Sequence, residues 1–185
     1  MTGQPRTDGE RTRTDGERKG DPLLRVTRVL LLIVMAFAAL ATVITLAGIP
    51  ASWILREEIV RHGVDATDGF LAGASALLAA FAVMTVCAVL FLRKLVAVID
   101  TVALGTPFSR DNARRLRAMG WLALAIQGIA LLFAPLAAWI ESHFPQAELQ
   151  VGLDLTGLLT ALLLFILARV FDTGAKLAED AEGTV

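Results

Sequence analysis

Apolar runs of membrane-spanning length alternate with short charged blocks along the chain. Three runs contain no Asp, Glu, Lys or Arg, and they cover residues 29–55, 69–92 and 118–140. A transmembrane helix needs about 20 mainly apolar residues, and these runs contain 27, 24 and 23 residues. The pattern therefore predicts transmembrane helices over 29–49, 70–92 and 120–140.

A fourth apolar run is shorter. Only 14 uncharged residues separate Asp154 from Arg169, which corresponds to about 21 Å of helix, whereas the hydrocarbon layer is about 30 Å thick. The run is nevertheless too rich in Leu, Phe and Ile for a loop. We predict a fourth span over about 152–171, with Asp154 at its outer edge and Arg169 reaching the inner headgroups along its aliphatic stem.

The composition agrees with a membrane protein. Hydrophobic residues make up 56% of the chain and charged residues only 19%, which excludes an ordinary water-soluble domain. The predicted fold class is all-α, an integral membrane four-helix bundle over residues 23–185. The first apolar run is longer than the roughly 7–15 residues of a signal-peptide core, so we expect it to remain as a helix.

Lys and Arg are concentrated in alternate blocks. Residues 1–28 contain seven, residues 93–119 contain six and the tail after the fourth run contains two, whereas residues 50–69 contain two and residues 141–154 none. Loops rich in Lys and Arg stay in the cytoplasm. We therefore predict a multi-pass protein of the cell membrane with both termini inside, Trp53 and Trp139 at the outer interface and Trp121 at the inner one.

The first 22 residues form a polar leader. The sequence Arg-Thr-Asp-Gly-Glu-Arg occurs twice, at 6–11 and 13–18, and the segment has almost no apolar side chain. Such composition predicts a disordered cytoplasmic segment. It is either a solvated leader that fixes the topology or a tether to lipid or a partner.

The loop before the third span carries the most distinctive polar residues. Ser109 is a favourable N-cap, so we predict a cytoplasmic amphipathic helix that starts there and continues into the third span. Arg114, Arg115 and Arg117 form a candidate docking surface for an acidic partner or for phospholipid headgroups. The alternative is a plain basic anchor that orients the span. The acidic tail lies on the same predicted side and could pair with this arginine-rich helix, which also contains Arg110.

The spans themselves are chemically plain. Gln127 is the candidate intramembrane polar contact, because its amide needs a partner on a neighbouring helix. No phosphate-binding glycine loop, Ser/His/Asp set or pair of carboxylates occurs within the spans, and His62 and His143 lie in different loops. We therefore predict no catalytic residues, no metal or cofactor site, and a protein that is not an enzyme.

The middle loop and the tail resemble a family of small bacterial membrane proteins catalogued as domain of unknown function 2975. The residues that carry the resemblance are Thr106-Pro107-Phe108-Ser109, Asn112-Ala113, Arg115-Leu116-Arg117, Gly120-Trp121, Phe171, Gly174-Ala175, Leu177, Glu179-Asp180, Glu182 and Thr184-Val185. The resemblance covers roughly residues 23–185 and implies four transmembrane helices. Family members are often encoded beside a small helix-turn-helix regulator, and the resemblance defines no catalytic or ligand residues.

Two functions follow as hypotheses. The first is a non-enzymatic membrane protein that docks or regulates a small cytoplasmic helix-turn-helix transcription regulator, without contacting nucleic acid itself. The second is a small transporter or channel subunit, with small residues such as Ala72, Ala76 and Ala80 at the helix contacts. A helper subunit without a ligand and a homo-oligomer both stay open at this point.

Overall fold

The computed structural model describes residues 22–61, 67–104, 108–143 and 154–182, and these ranges contain helices and no strand. The helices are α1 (Pro22–Ile54), α2 (Arg56–Arg61), α3 (Asp68–Ala103), α4 (Arg110–His143) and α5 (Leu155–Glu182). Apart from Pro22, the predicted leader lies outside the described residues. The all-helical class predicted from the sequence is confirmed for the described part of the chain.

Polar side chains mark the starts of three helices. Thr67 accepts a hydrogen bond from the backbone N–H of Phe70 at the start of α3. Ser109 accepts from the N–H of Asn112 at the start of α4 (3.3 Å), as the sequence predicted. Asp154 accepts from two backbone N–H groups in the first turn of α5. Each cap satisfies backbone donors that have no partner within the helix.

Four helices, α1, α3, α4 and α5, are long and apolar enough to cross a membrane, by length and composition. Only 11% to 17% of the residues in their most apolar windows are buried inside the protein, so most apolar side chains there are at least partly exposed. An outer surface of this kind requires an apolar solvent. The four predicted spans fall on these helices, with only residues 152 and 153 outside the described ranges.

The long helices pack in the order α1, α3, α4, α5. Among the described helices, α1 approaches only α3 and the short α2, while α4 packs against both α3 and α5. Most of the buried hydrophobic residues are alanines, namely Ala80, Ala82, Ala113, Ala130, Ala137, Ala161, Ala168 and Ala175. Small side chains allow close helix approach, which is the main source of packing energy within a bilayer.

Polar contacts fix the register of the helices. At one end, which we call the Asn112 end, Asn112 of α4 donates to Thr101 of α3, and Arg28 of α1 lies 3.5 Å from Asp100. At the other, the Trp139 end, a Cβ on Gly73 of α3 would lie 3.4 Å from the Trp139 ring. The distribution of Lys and Arg in the sequence predicts that the Asn112 end faces the cytoplasm.

Helix α5 starts part-way along α4. The backbone N–H of Asp154 donates to the Gln127 side chain (3.1 Å), whereas Trp139 lies about 18 Å further along α4 at roughly 1.5 Å per residue. Asp154 was predicted at the outer edge, where Trp139 was also predicted, and the structure does not place them at one level. Helix α5 instead begins beside Gln127, where the Asp154 N–H finds an acceptor.

Candidate functional site

Helices α3, α4 and α5 are joined at the Asn112 end by a set of contacts that we call the junction. It is the main polar feature of the described structure. Asn112 is fully buried (0% exposed), and its amide donates to Thr101 Oγ1 at 2.6 Å. Its carbonyl oxygen accepts from Arg115 Nη1 at 2.9 Å. Because Asn112 is satisfied on both sides, it ties the end of α3 to the start of α4 without leaving a buried polar atom unpaired.

The three candidate docking arginines point in different directions. Arg115 is half-buried and donates to the backbone carbonyl of Ala97 on α3 (3.1 Å) as well as to Asn112. Arg114 is exposed and pairs with Asp111 one turn before it. Arg117 is also exposed, and no ion pair of Arg117 is seen within the described ranges. The structure therefore separates one arginine with structural contacts from two that face outward.

A cleft between α3 and α4 lies beside this network. It has a volume of about 270 Å³ and is lined by Lys94 of α3 and by Asp111, Arg114 and Arg115 of α4. The hydrogen bond from Arg114 lowers the pKa of the Asp111 carboxyl, and the positive charges of Arg114 and Arg115 act in the same direction. The cleft thus combines three cations with one carboxylate that stays ionised at neutral pH.

An ion pair joins the start of α4 to the end of α5. The guanidinium of Arg110 donates twice to the Glu179 carboxylate, at 2.9 Å and 2.5 Å, and this contact raises the pKa of Arg110. The prediction that the acidic tail pairs with the basic helix is confirmed here. The pairing arginine, however, is Arg110, which was outside the candidate docking set.

Aromatic rings and glycines complete the α4–α5 contact. The ring centroids of Phe108 and Phe171 are 5.3 Å apart, and a Cβ on Gly174 would lie 2.8 Å from Cδ1 of Phe108. About three turns into α4, the Phe165 ring packs on Gly120, where a Cβ would lie 3.0 Å from it. These two glycines let the rings approach the helix backbone.

Gln127 lies against the first turn of α5. Its carbonyl oxygen accepts from the N–H of Asp154, and its side chain fills the space next to Gly157. The Asp154 carboxylate in turn accepts from the N–H groups of Thr156 (2.9 Å) and Gly157 (3.2 Å). Gln127 and Asp154 therefore form a polar contact between the apolar stretches of α4 and α5.

Two residues of the junction were missed by reasoning from the sequence. Asn112 was not singled out as a buried residue, although an amide three residues after an N-cap serine on a helix with apolar neighbours was a usable signal. Lys94 was counted only as one of the basic residues that set the topology. Its position opposite Arg114 and Arg115 depends on the α3–α4 register, which the sequence does not contain.

A comparison with known protein families shows which family the chain belongs to. The family described as protein of unknown function (DUF2975) matches residues 71–185. The chain belongs to this family. The match to DUF2975 starts within α3 rather than near residue 23, so α1 lies outside it. No curated protein and no solved structure matches the chain significantly.

Within the DUF2975 region, several of the described motif residues make contacts at the Asn112 end. Phe108 touches Phe171 and lies close to Gly174, Asn112 binds Arg115, and Glu179 binds Arg110. Motif positions in the middle loop and the tail are therefore parts of one junction. The motif describes how α3, α4 and α5 are joined, and only Arg117 of its two arginines faces outward.

Proposed function

We propose that the chain crosses a bacterial cell membrane four times with both termini in the cytoplasm, and that its Asn112 end docks a small cytoplasmic regulator. The orientation is supported by the alternation of basic blocks. The Asn112 end then lies inside, and the first turns of α4 form an amphipathic helix at the inner membrane surface. The protein acts by binding and carries out no chemical reaction.

This proposal rests on the outward position of Arg114 and Arg117 at the start of α4. The opposite face of this part of α4 is buried and packed. The Arg114 side chain is 78% exposed, whereas Asn112 and Met119 on the opposite face are 0% and 1% exposed. A rigid support lowers the entropy lost when a side chain binds a partner. Arg115 is not part of the docking surface, because its half-buried side chain turns toward α3, where Nη1 contacts Ala97 and Asn112.

The chemistry of the surface favours an acidic partner. The guanidinium group is planar and matches a carboxylate with two parallel hydrogen bonds, and arginine is common among the residues that dominate protein interfaces. The class of partner, a small helix-turn-helix regulator, comes from the family resemblance. Its acidic face, rather than its DNA-binding face, would meet Arg114 and Arg117.

Co-purification tests the docking surface. The double variant Arg114→Ala/Arg117→Ala should recover about tenfold less of the regulator encoded next to the chain than the unchanged protein does. The matched control is Arg56→Ala/Arg61→Ala, which removes two arginines at the Trp139 end and should not alter recovery. Equal recovery with both double variants would rule out this surface.

A second function, a small transporter or channel subunit, is favoured by one observation. Asp154 and Gln127 place an ionisable group and an amide between the two ends of α4, where the helices are otherwise apolar, and such groups in membranes often line ion paths. In liposomes containing the purified protein, a proton or cation flux that disappears with Asp154→Asn would support it. An absence of flux in the unchanged protein would leave docking as the function.

A further inference from the structure

The cleft between α3 and α4 has the charge and the position of a binding site for an anionic headgroup. Lys94, Asp111, Arg114 and Arg115 line it, which gives the lining a net charge of about +2 at neutral pH. Asp111 is engaged by Arg114. Lys94 is half-buried, and no ion pair or hydrogen bond of its ammonium group is seen within the described ranges.

Two parts of the lining are held in place before any ligand binds. Arg115 is fixed by hydrogen bonds to Ala97 O and Asn112 Oδ1, and Arg114 is oriented by its ion pair with Asp111. Guanidinium groups fixed in this way bind phosphate oxygens with little further loss of freedom. A compact, singly charged phosphate fits both the volume of about 270 Å³ and the charge of the cleft.

An apolar stripe leads along α3 to this cleft. Val83, Val86 and Leu90 are 51%, 45% and 41% exposed, and their spacing places them on the same face of α3 as Lys94. On α4, Trp121 is 63% exposed close to the basic turns, and an indole ring is favourable at the headgroup level of a membrane. An apolar stripe that ends in a basic cleft matches a molecule with acyl chains and a phosphate.

We propose that the cleft binds the phosphate of an anionic phospholipid, whose acyl chains lie along Val83, Val86 and Leu90. The site depends on the membrane position of the helices and shares Arg114 with the docking surface, whereas Lys94 belongs to the cleft alone and Arg117 does not line it. Lys94 supplies the charge that distinguishes an anionic from a zwitterionic lipid. Binding would also hold α3 and α4 together at the Asn112 end.

Lipid retention by the purified full-length protein tests the site. The protein is exchanged into mild detergent with equal amounts of phosphatidylglycerol and phosphatidylcholine, and bound lipids are counted by native mass spectrometry. We expect several-fold more phosphatidylglycerol than phosphatidylcholine on the unchanged protein. Lys94→Gln should lower phosphatidylglycerol retention about fivefold. Lys94→Arg, which keeps the positive charge, should retain most of the phosphatidylglycerol that the unchanged protein binds.

A matched lysine variant and a soluble anion separate the alternatives. Lys176→Gln removes a lysine that pairs with Asp172 on α5 and should retain lipid like the unchanged protein. Equal retention of the two lipids, or equal effects of Lys94→Gln and Lys176→Gln, would overturn the proposal. So would displacement of phosphatidylglycerol by inorganic phosphate at an equal concentration, because the cleft would then bind a soluble anion without using the acyl chains.

Discussion

The side chain of Gln127 occupies the space that a side chain at position 157 would need. A Cβ built on Gly157 would lie 2.8 Å from Cδ of Gln127 and still closer to its Nε2. The amide is the far end of a flexible side chain, and a movement that admits a Cβ would disturb the hydrogen bond that it accepts from the Asp154 N–H. This pair of residues therefore sets how closely α4 and α5 approach each other.

Replacing Gly157 should separate these helices. Gly157→Ala is expected to destabilise the protein by about 1–3 kcal/mol, the usual effect of overpacking, as measured by thermal unfolding in detergent. The double variant Gln127→Ala/Gly157→Ala should lose less than the sum of the two single changes. Gly128→Ala is the control, since no atom lies within 4 Å of a Cβ there. Equal effects at 128 and 157 would contradict the close contact.

The buried amide of Asn112 should matter more than the exposed charges beside it. Asn112→Leu keeps most of the volume but removes the partners of Thr101 and Arg115. A loss of about 1–3 kcal/mol is expected, because Thr101 and Arg115 each lose one hydrogen bond at a part-buried position. Asp111→Asn, one residue earlier and exposed, should change the unfolding temperature little. A reversed order of these two effects would show that the network does not stabilise the junction.

Charge reversal tests the contact between Arg110 and Glu179. Arg110→Glu and Glu179→Arg should each speed amide hydrogen exchange in residues 172–182 by about twofold to fivefold, because exposed ion pairs are weak. The double variant Arg110→Glu/Glu179→Arg, in which the two charges are swapped, should return the rate of amide hydrogen exchange close to its original value. If the double variant exchanges as fast as the single ones, the pair does not hold the end of α5.

Two equally exposed aliphatic residues test the orientation of the protein in the membrane. Ile54 and Leu104 are both 79% exposed, and they lie at the Trp139 end and the Asn112 end respectively. In a Cys87→Ser background, Ile54→Cys should react with a membrane-impermeant maleimide on intact cells. Leu104→Cys should react only after the membrane is opened. Labelling of Leu104→Cys on intact cells would invert the proposed topology.

The spans could be predicted because charge is expensive within hydrocarbon. The runs that avoid charge are therefore long and easy to recognise, and all four fall on long helices of the structure. The start of α4 was also predictable, since Ser109 combines the right side chain with the right position before a basic helix. These are local properties, each contained in a few neighbouring residues.

The relations between helices could not be predicted in the same way. The sequence does not distinguish the roles of Arg114, Arg115 and Arg117. Only Arg115 turns toward α3, because its position around the α4 axis faces Ala97. The level of Asp154 depends on α5 meeting Gln127 instead of the end of α4. Both outcomes follow from helix register, which small-residue packing and a few polar contacts decide together.

Among the described long helices, α1 packs only against α3, so it lies at the edge of the helix assembly. Helix α1 leans on α3 through contacts such as Thr42 to Thr85 (2.9 Å), and the DUF2975 match begins after it. Deleting it would leave the junction of the other three long helices intact but change the parity of the crossings. In the proposed topology, the two ends of the shortened chain would then face opposite compartments, and α1 would be the helix that keeps both termini on one side.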